Sequence, residues 1–219
     1  MPEAPTPPYV ELHCHSGFSF LDGASHPEEL VLQAREFGYP ALALTDHDGL
    51  YGSMEFAQHA KLNGMRPITG AELSLRGCFG PTERPEGAPD LGISYLGRPI
   101  VDAAFNPREP ELGHHLTLLA ETSEGYANLS RLISRLRLES PRETPRLLFD
   151  ALEEPGAVAG LICLTGCRHS PLAAALEGSW AEGEEMARRL LDAFGPGNLF
   201  VELQDAEAKG DGPRNRRLG

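Results

Sequence analysis

The chain has 219 residues and a formal net charge of −13, which excludes a surface that grips nucleic acid through bulk electrostatics. Its 41% hydrophobic content supports a real core in one or two domains. No apolar run approaches the ~20 residues needed to span a bilayer. Cys14, Cys78, Cys163 and Cys167 form no C-x-x-C pair, and the N-terminal MPEAPTPP has neither the basic region nor the apolar stretch of a secretion signal. A cytoplasmic protein with reduced thiols and no membrane contact is therefore expected.

Residues 1–8 are Pro-rich and read as a loose arm. Tyr9–His13 reads as a first strand. Ser25 or His26 can cap a helix that has Pro27 at its first position and Glu28 and Glu29 in its first turn. Leu30, Val31, Ala34 and Phe37 form its apolar face, and Gly38 ends it. Ala41–Thr45 is the second strand. Asp48 is placed to cap a helix over about Leu50–Leu62, and Arg66–Gly70 is the third strand. Between Arg76 and Gly113, 12 of 38 residues are Gly or Pro. This stretch, 76–113, reads as an insertion with a short hairpin near Ile93–Ile100. His115–Ala120 is a further strand and Ser123–Leu138 a helix with arginines toward its end. Gly160–Thr165 is a strand, Gly166-Cys167-Arg168 a turn, Pro171–Leu176 and Ala181–Phe194 helices, and Leu199–Leu203 a last strand. Residues 205–219 read as a polar, Arg-rich tail. Apolar runs alternating with helices predict an α/β fold on a parallel sheet, open or closed into a barrel.

Three successive strand ends carry imidazole or carboxylate, and chemistry in parallel α/β folds sits at the carboxyl ends of strands. His13 and His15 alternate, so both rings face one side of their strand, while Cys14 points the other way into the core. Asp46 and His47 follow the second strand. Imidazole with carboxylate suits zinc, manganese or iron. Asp22, in Leu21-Asp22-Gly23, is either a turn residue or a ligand. Glu72 is either a ligand at a strand end or a solvated carboxylate. Cys167 reads first as a small buried hydrophobe, and His169 as exposed. No G-x-S-x-G, G-x-G-x-x-G after a strand, or G-x-x-x-x-G-K-[ST] is present, so serine-hydrolase, dinucleotide and P-loop chemistry are disfavoured.

H-C-H-S, L-D-G, T-D-H-D, G-A-E-L, H-H-L-T-L-L-A and L-T-G-C-R occur in that order. Together they resemble the polymerase and histidinol phosphatase (PHP) domain. The closest resemblance is to the N-terminal PHP domain of bacterial C-family DNA polymerases, the DNA polymerase III alpha type, and within it to the error-prone branch. The resemblance covers about Tyr9–Gln204, taken as a domain over 9–204. It implies a distorted (β/α)7 TIM-like barrel with two or three divalent metal ions. The family's ligands fall on His13, His15, Asp22, His47, Glu72, His115 and Cys167, with His114 competing for the place of His115. Asp46 would act from behind the ligands, orienting His47 or a neighbour. The family's last ligand pair, from a T-N-D-x-H-type motif, has no counterpart here, so the chain reads as truncated before its last helix and strand. On this resemblance no polymerase active site is expected within these 219 residues.

What the resemblance implies for function is a metal-dependent phosphoesterase with 3′–5′ exonuclease activity of a proofreading type, acting on a DNA 3′ end in replication or repair synthesis. The polymerase core and other replication or repair proteins would be its partners. The alternatives are a non-catalytic structural or partner-docking module of the polymerase and a stand-alone small-molecule phosphatase.

Overall fold

The computed structural model describes residues 8–79, 113–142, 144–205 and 211–218. The expected hairpin near Ile93–Ile100 and nearly all of the N-terminal arm and the insertion lie outside these residues. The chain divides into two compact units, Met1–Ala71 and Glu72–Gly219.

In the first unit, α1 (Pro27–Glu36) opens as its sequence requires. Pro27 stands at its first position, and the His26 N–H donates to the Glu29 carboxylate at 2.8 Å, tying down the helix entrance. Gly38, at φ 75°, carries the chain out of the helix. Phe37, expected on the apolar face, is instead 65% exposed, because the helix has already ended and the ring lies against Tyr39. β1 (Ala41–Leu44) is buried at every position and pairs in parallel with the first residues of β2 (Arg66–Arg76). α2 (Ser53–Leu62) begins later than expected. Asp48 does not cap it, since its φ of 50° makes it part of a left-handed turn and Gly52 takes the cap position. Val31 and Ala34 of α1, Leu42 and Leu44 of β1, and Phe56, Ala60 and Met65 form one apolar cluster, with Cys14 against its edge. At about 25 cal/mol per Å2 of apolar area, each such large side chain contributes roughly 1.5–3 kcal/mol.

The predicted strand at Tyr9–His13 is reduced to a single parallel bridge, Glu11 to Leu42. Side chains take the donors that a longer ladder would use. The His13 N–H donates to the Glu11 carboxylate at 3.0 Å, and the Cys14 N–H to Thr45 Oγ1 at 3.0 Å.

β2 runs six residues past its predicted end at Gly70, so Glu72 sits within a strand and not at its terminus. In the second unit the strand order is β2, β3 (His114–Ala120), β5 (Leu161–Leu164), β6 (Leu199–Phe200), with β4 (Leu147–Leu148) also pairing β2 in parallel. The sheet is not wholly parallel: β3 and β5 are antiparallel, Thr117 opposite Leu164 and Ala120 opposite Leu161. After β3 the chain returns along α3 (Ser123–Leu138) and then doubles back through β4, α4 (Asp150–Glu153) and the turns up to Gly160. It therefore re-enters the sheet from the end at which β3 left, where the Glu121 N–H donates to the Gly160 carbonyl at 3.0 Å. β4 and α4 were not expected from sequence, since elements of two and four residues are too short to show a period. α5 (Pro171–Gly178) and α6 (Trp180–Phe194) are capped by Ser170 and Ser179, whose hydroxyls accept from Ala173 and Glu182 N–H. The last strand is shorter than expected, and part of the predicted polar tail forms α7 (Asp211–Leu218).

Candidate functional site

In the first unit, the loop after Cys14 and the loop after β1 meet over one buried carboxylate. Asp46 is 2% exposed. Its Oδ1 accepts from the Ser16 N–H and the Ser19 hydroxyl, and its Oδ2 from the Ser16 hydroxyl, each at 2.7 Å. The Ser19 oxygen in turn accepts from the His47 N–H at 3.0 Å. Asp46 thus does not touch the His47 ring; it fixes the segment that carries His15 and Asp22. The Asp22 and Gly23 N–H groups both donate to the Ser19 carbonyl. Gly23 is obligatory here, because a Cβ would stand 1.9 Å from the Ser16 carbonyl oxygen.

These constraints bring three ligand-type side chains together. The Asp22 Oδ2 contacts His15 Nδ1 and lies 3.5 Å from His47 Nε2. One donor atom from each of His15, Asp22 and His47 falls within 4.8 Å of the others. The His15 and His47 rings are 4.5 Å apart, and the His13 ring packs edge-on against His15 at 5.1 Å. Cys14 faces the apolar cluster as predicted, and burial, with Glu11 and Asp46 adding charge, pushes its thiol up to about 11.

In the second unit, Glu72 is 1% exposed and its Oε1 lies 3.3 Å from His115 Nδ1. The Cys167 Sγ lies 3.7 Å from the same nitrogen. His115 is the second residue of β3, where a ligand is out of place if every strand is parallel. The antiparallel pairing removes the difficulty: the start of β3 lies beside the end of β5, and Cys167 follows β5 directly. The His115 N–H donates to the His169 carbonyl at 3.0 Å, which fixes this corner. His114, on the opposite side of the strand, is 2% exposed and packs against Phe79, so His115 and not His114 meets Glu72. Burial first, then the Glu72 charge, pushes the Cys167 thiol up to about 12. His169 is exposed, as expected. No disulfide links the four cysteines.

The donor sets fit a divalent metal. Ligand atoms held ~2.1–2.3 Å from a tetrahedral ion are about 3.4–3.7 Å from one another, close to the 3.5 Å, 3.3 Å and 3.7 Å separations above, whereas His15 and Asp22 are closer, in direct contact. Imidazole, carboxylate and thiol are the donor types such ions take. Sequence reasoning sets Ser16 and Ser19 aside as nucleophiles and does not foresee that they hold Asp46; their only signal is two hydroxyls three residues apart beside a His pair.

A family model for the PHP domain matches residues 11–206. The chain belongs to the PHP family. It is 39% identical over 219 residues to an error-prone DNA polymerase of Cutibacterium acnes, covering 99% of this chain and 17% of that protein. It is 41% identical to an error-prone DNA polymerase of Mycobacterium tuberculosis over 96% of this chain and 17% of that protein. It is 35% identical to a DNA polymerase III subunit alpha of Treponema pallidum over 90% of this chain and 15% of that protein. The PHP domain described here therefore spans about a sixth of the length of these polymerases. Its α/β fold is of the class expected from sequence. Among the described residues no helix is long and apolar enough to cross a membrane.

Proposed function

We propose that this PHP domain is a metal-dependent phosphodiesterase that removes nucleotides from a DNA 3′ end, acting in the cytoplasm beside a polymerase core in replication or repair synthesis. His13, His15, Asp22 and His47 in the first unit, and Glu72, His115 and Cys167 in the second, would hold divalent ions, with zinc, manganese and iron as the candidates. Bound ions of this kind supply a water acidic enough to attack at neutral pH and neutralise charge on phosphate oxygens. The observation that carries the reading is the spacing of His15, Asp22 and His47, three side chains from two loops whose donor atoms lie within 4.8 Å of one another.

The chain's own residues have distinct tasks. Asp22 and Glu72 supply the negative charge that offsets a cation. The imidazoles supply neutral nitrogen donors whose rings are held by packing against each other. Asp46, through Ser16 and Ser19, keeps the loop of Asp22 in place, so it is a positioning residue.

The test is metal content by elemental analysis together with cleavage of a 3′-labelled oligonucleotide, for the wild-type chain and for Asp22→Asn and His47→Ala. Each substitution is expected to lower bound metal and to reduce cleavage by at least ~100-fold. A wild-type chain that binds no divalent metal, or is indifferent to both substitutions, defeats the proposal. A second reading, a docking module of the polymerase, is favoured by one feature. Phe200, Val201 and Leu203, in and just beyond β6, are each about half exposed, at 50%, 50% and 53%. Metal binding without turnover, with stabilisation of a polymerase fragment added in trans, decides for it.

A further inference from the structure

The loop that delivers Asp22 also delivers two large apolar side chains into solvent. Phe20 is 86% exposed and Leu21 108% exposed. Leu21 has φ 68°, a left-handed conformation that a bulky residue rarely adopts. The loop beneath does not relax, because Ser19 is clamped on Asp46, Asp22 and Gly23 are bonded to the Ser19 carbonyl, and Gly23 lies tight against Ser16. Strain maintained by buried hydrogen bonds, in the residue preceding a metal-type ligand, marks a position held for use.

What can sit there is constrained by charge. From Tyr9 to Ala34 the sequence contains no Lys or Arg, and the chain as a whole carries −13. The segment that carries the loop offers no cation of its own for ion pairs to the backbone of a nucleic acid end. What the exposed Phe20 and Leu21 themselves offer such an end is a surface for its base, whose flat face stacks on aromatic and apolar side chains without regard to sequence. A nucleobase is also within a side chain's reach of the phosphate attached to the same nucleotide, as Leu21 and Phe20 are within a side chain's reach of Asp22.

We propose that Phe20 and Leu21 form a stacking wedge for the terminal base of the DNA strand whose 3′ phosphodiester lies at His15, Asp22 and His47. The proposal rests on the nuclease reading and names how that site recognises its substrate. The wedge makes the site tolerant of base identity while requiring that a base be present. It also requires an unpaired end, since a base stacked in a duplex cannot reach the loop tip.

The test uses the metal-loaded chain and single-stranded oligonucleotides that end either in 2-aminopurine or in an abasic nucleotide. Fluorescence reads stacking on the terminal base, and anisotropy of a 5′ dye reads affinity. The wild type is expected to quench 2-aminopurine and to bind the base-bearing end more tightly than the abasic one. Phe20→Ala and Leu21→Ala should each weaken binding of the base-bearing end on the order of tenfold and leave the abasic end unchanged. Leu21→Gly should weaken binding equally while raising the melting temperature, since glycine relieves the strain. Equal binding of both ends by the wild type, or no effect of either alanine variant, overturns the wedge. Quenching and discrimination without cleavage sink the nuclease reading and leave the wedge standing. Cleavage that ignores both variants does the reverse.

Discussion

Asp46 has both carboxylate oxygens committed to three donors, and the acceptors behind those donors lead to His47 and Asp22. Replacing it by asparagine keeps the shape but turns an N–H2 toward the Ser16 or Ser19 hydroxyl. At a site 2% exposed the mismatch should cost about 1–3 kcal/mol, read as a lower urea midpoint. Metal affinity should fall ~10–100-fold, because the loop of Asp22 loses its anchor although no donor atom has been removed. An Asp46→Asn chain with unchanged metal affinity would reduce Asp46 to a stability role. At this scale much was legible. Alternation placed His13 and His15 on one side with Cys14 behind them. The T-D-H motif was recognised as chemical, but the direction of Asp46 was not, since its partners are serines about 30 residues away whose hydroxyls carry no periodic signal. The choice between His114 and His115 was likewise closed to sequence, because it depends on which face of β3 meets Glu72.

The antiparallel pairing of β3 and β5 is the element-scale feature that the alternation of strands and helices concealed. Helix and strand periods fix an element's type but not the direction in which the chain re-enters the sheet. Here that direction depends on β4, α4 and one close approach of two glycines. Gly125, in the first turn of α3, packs so tightly on Gly160 that a Cβ would stand 1.8 Å from its carbonyl oxygen. Gly160 itself has φ 71°. Gly125→Ala must therefore push α3 away from the turn that starts β5, at a cost of about 1–3 kcal/mol measurable by urea unfolding. Because β5 leads into Cys167, the same variant should lower the second unit's contribution to metal binding. An alanine accommodated without loss of stability would mean that the two segments are not held together by this contact. By contrast the bounds of α3 were legible to the residue, since charges matched to the helix dipole are written locally, although its cap, Thr122, was not foreseen.

At the scale of the whole molecule, the aggregate chemistry is that of an acidic chain that buries its thiols. Cys163 is 0% exposed within β5, and burial, with the Glu202 charge adding, raises its pKa well above the usual 9.0. In the unfolded chain the same thiol ionises near ~8.5. Above that pH the unfolded state has lost a proton that the folded state still holds. Stability is therefore fully present below the unfolded pKa and declines as pH rises past it, by up to about 1.4 kcal/mol per pH unit for each such thiol. Cys14, raised to about 11, adds to the same slope. Urea midpoints measured at pH 7, 8, 9 and 10 should hold steady to about pH 8 and then fall. In Cys163→Ala the midpoint at pH 7 is lower because a buried group is missing, but the decline between pH 8 and 10 should be shallower than in the wild type. A slope unchanged by the substitution would place the alkaline loss elsewhere, in the added repulsion as other groups lose protons on a chain that already carries −13. Added salt separates the two, since screening relieves repulsion between exposed charges but does not change the ionisation of a thiol sealed inside a strand.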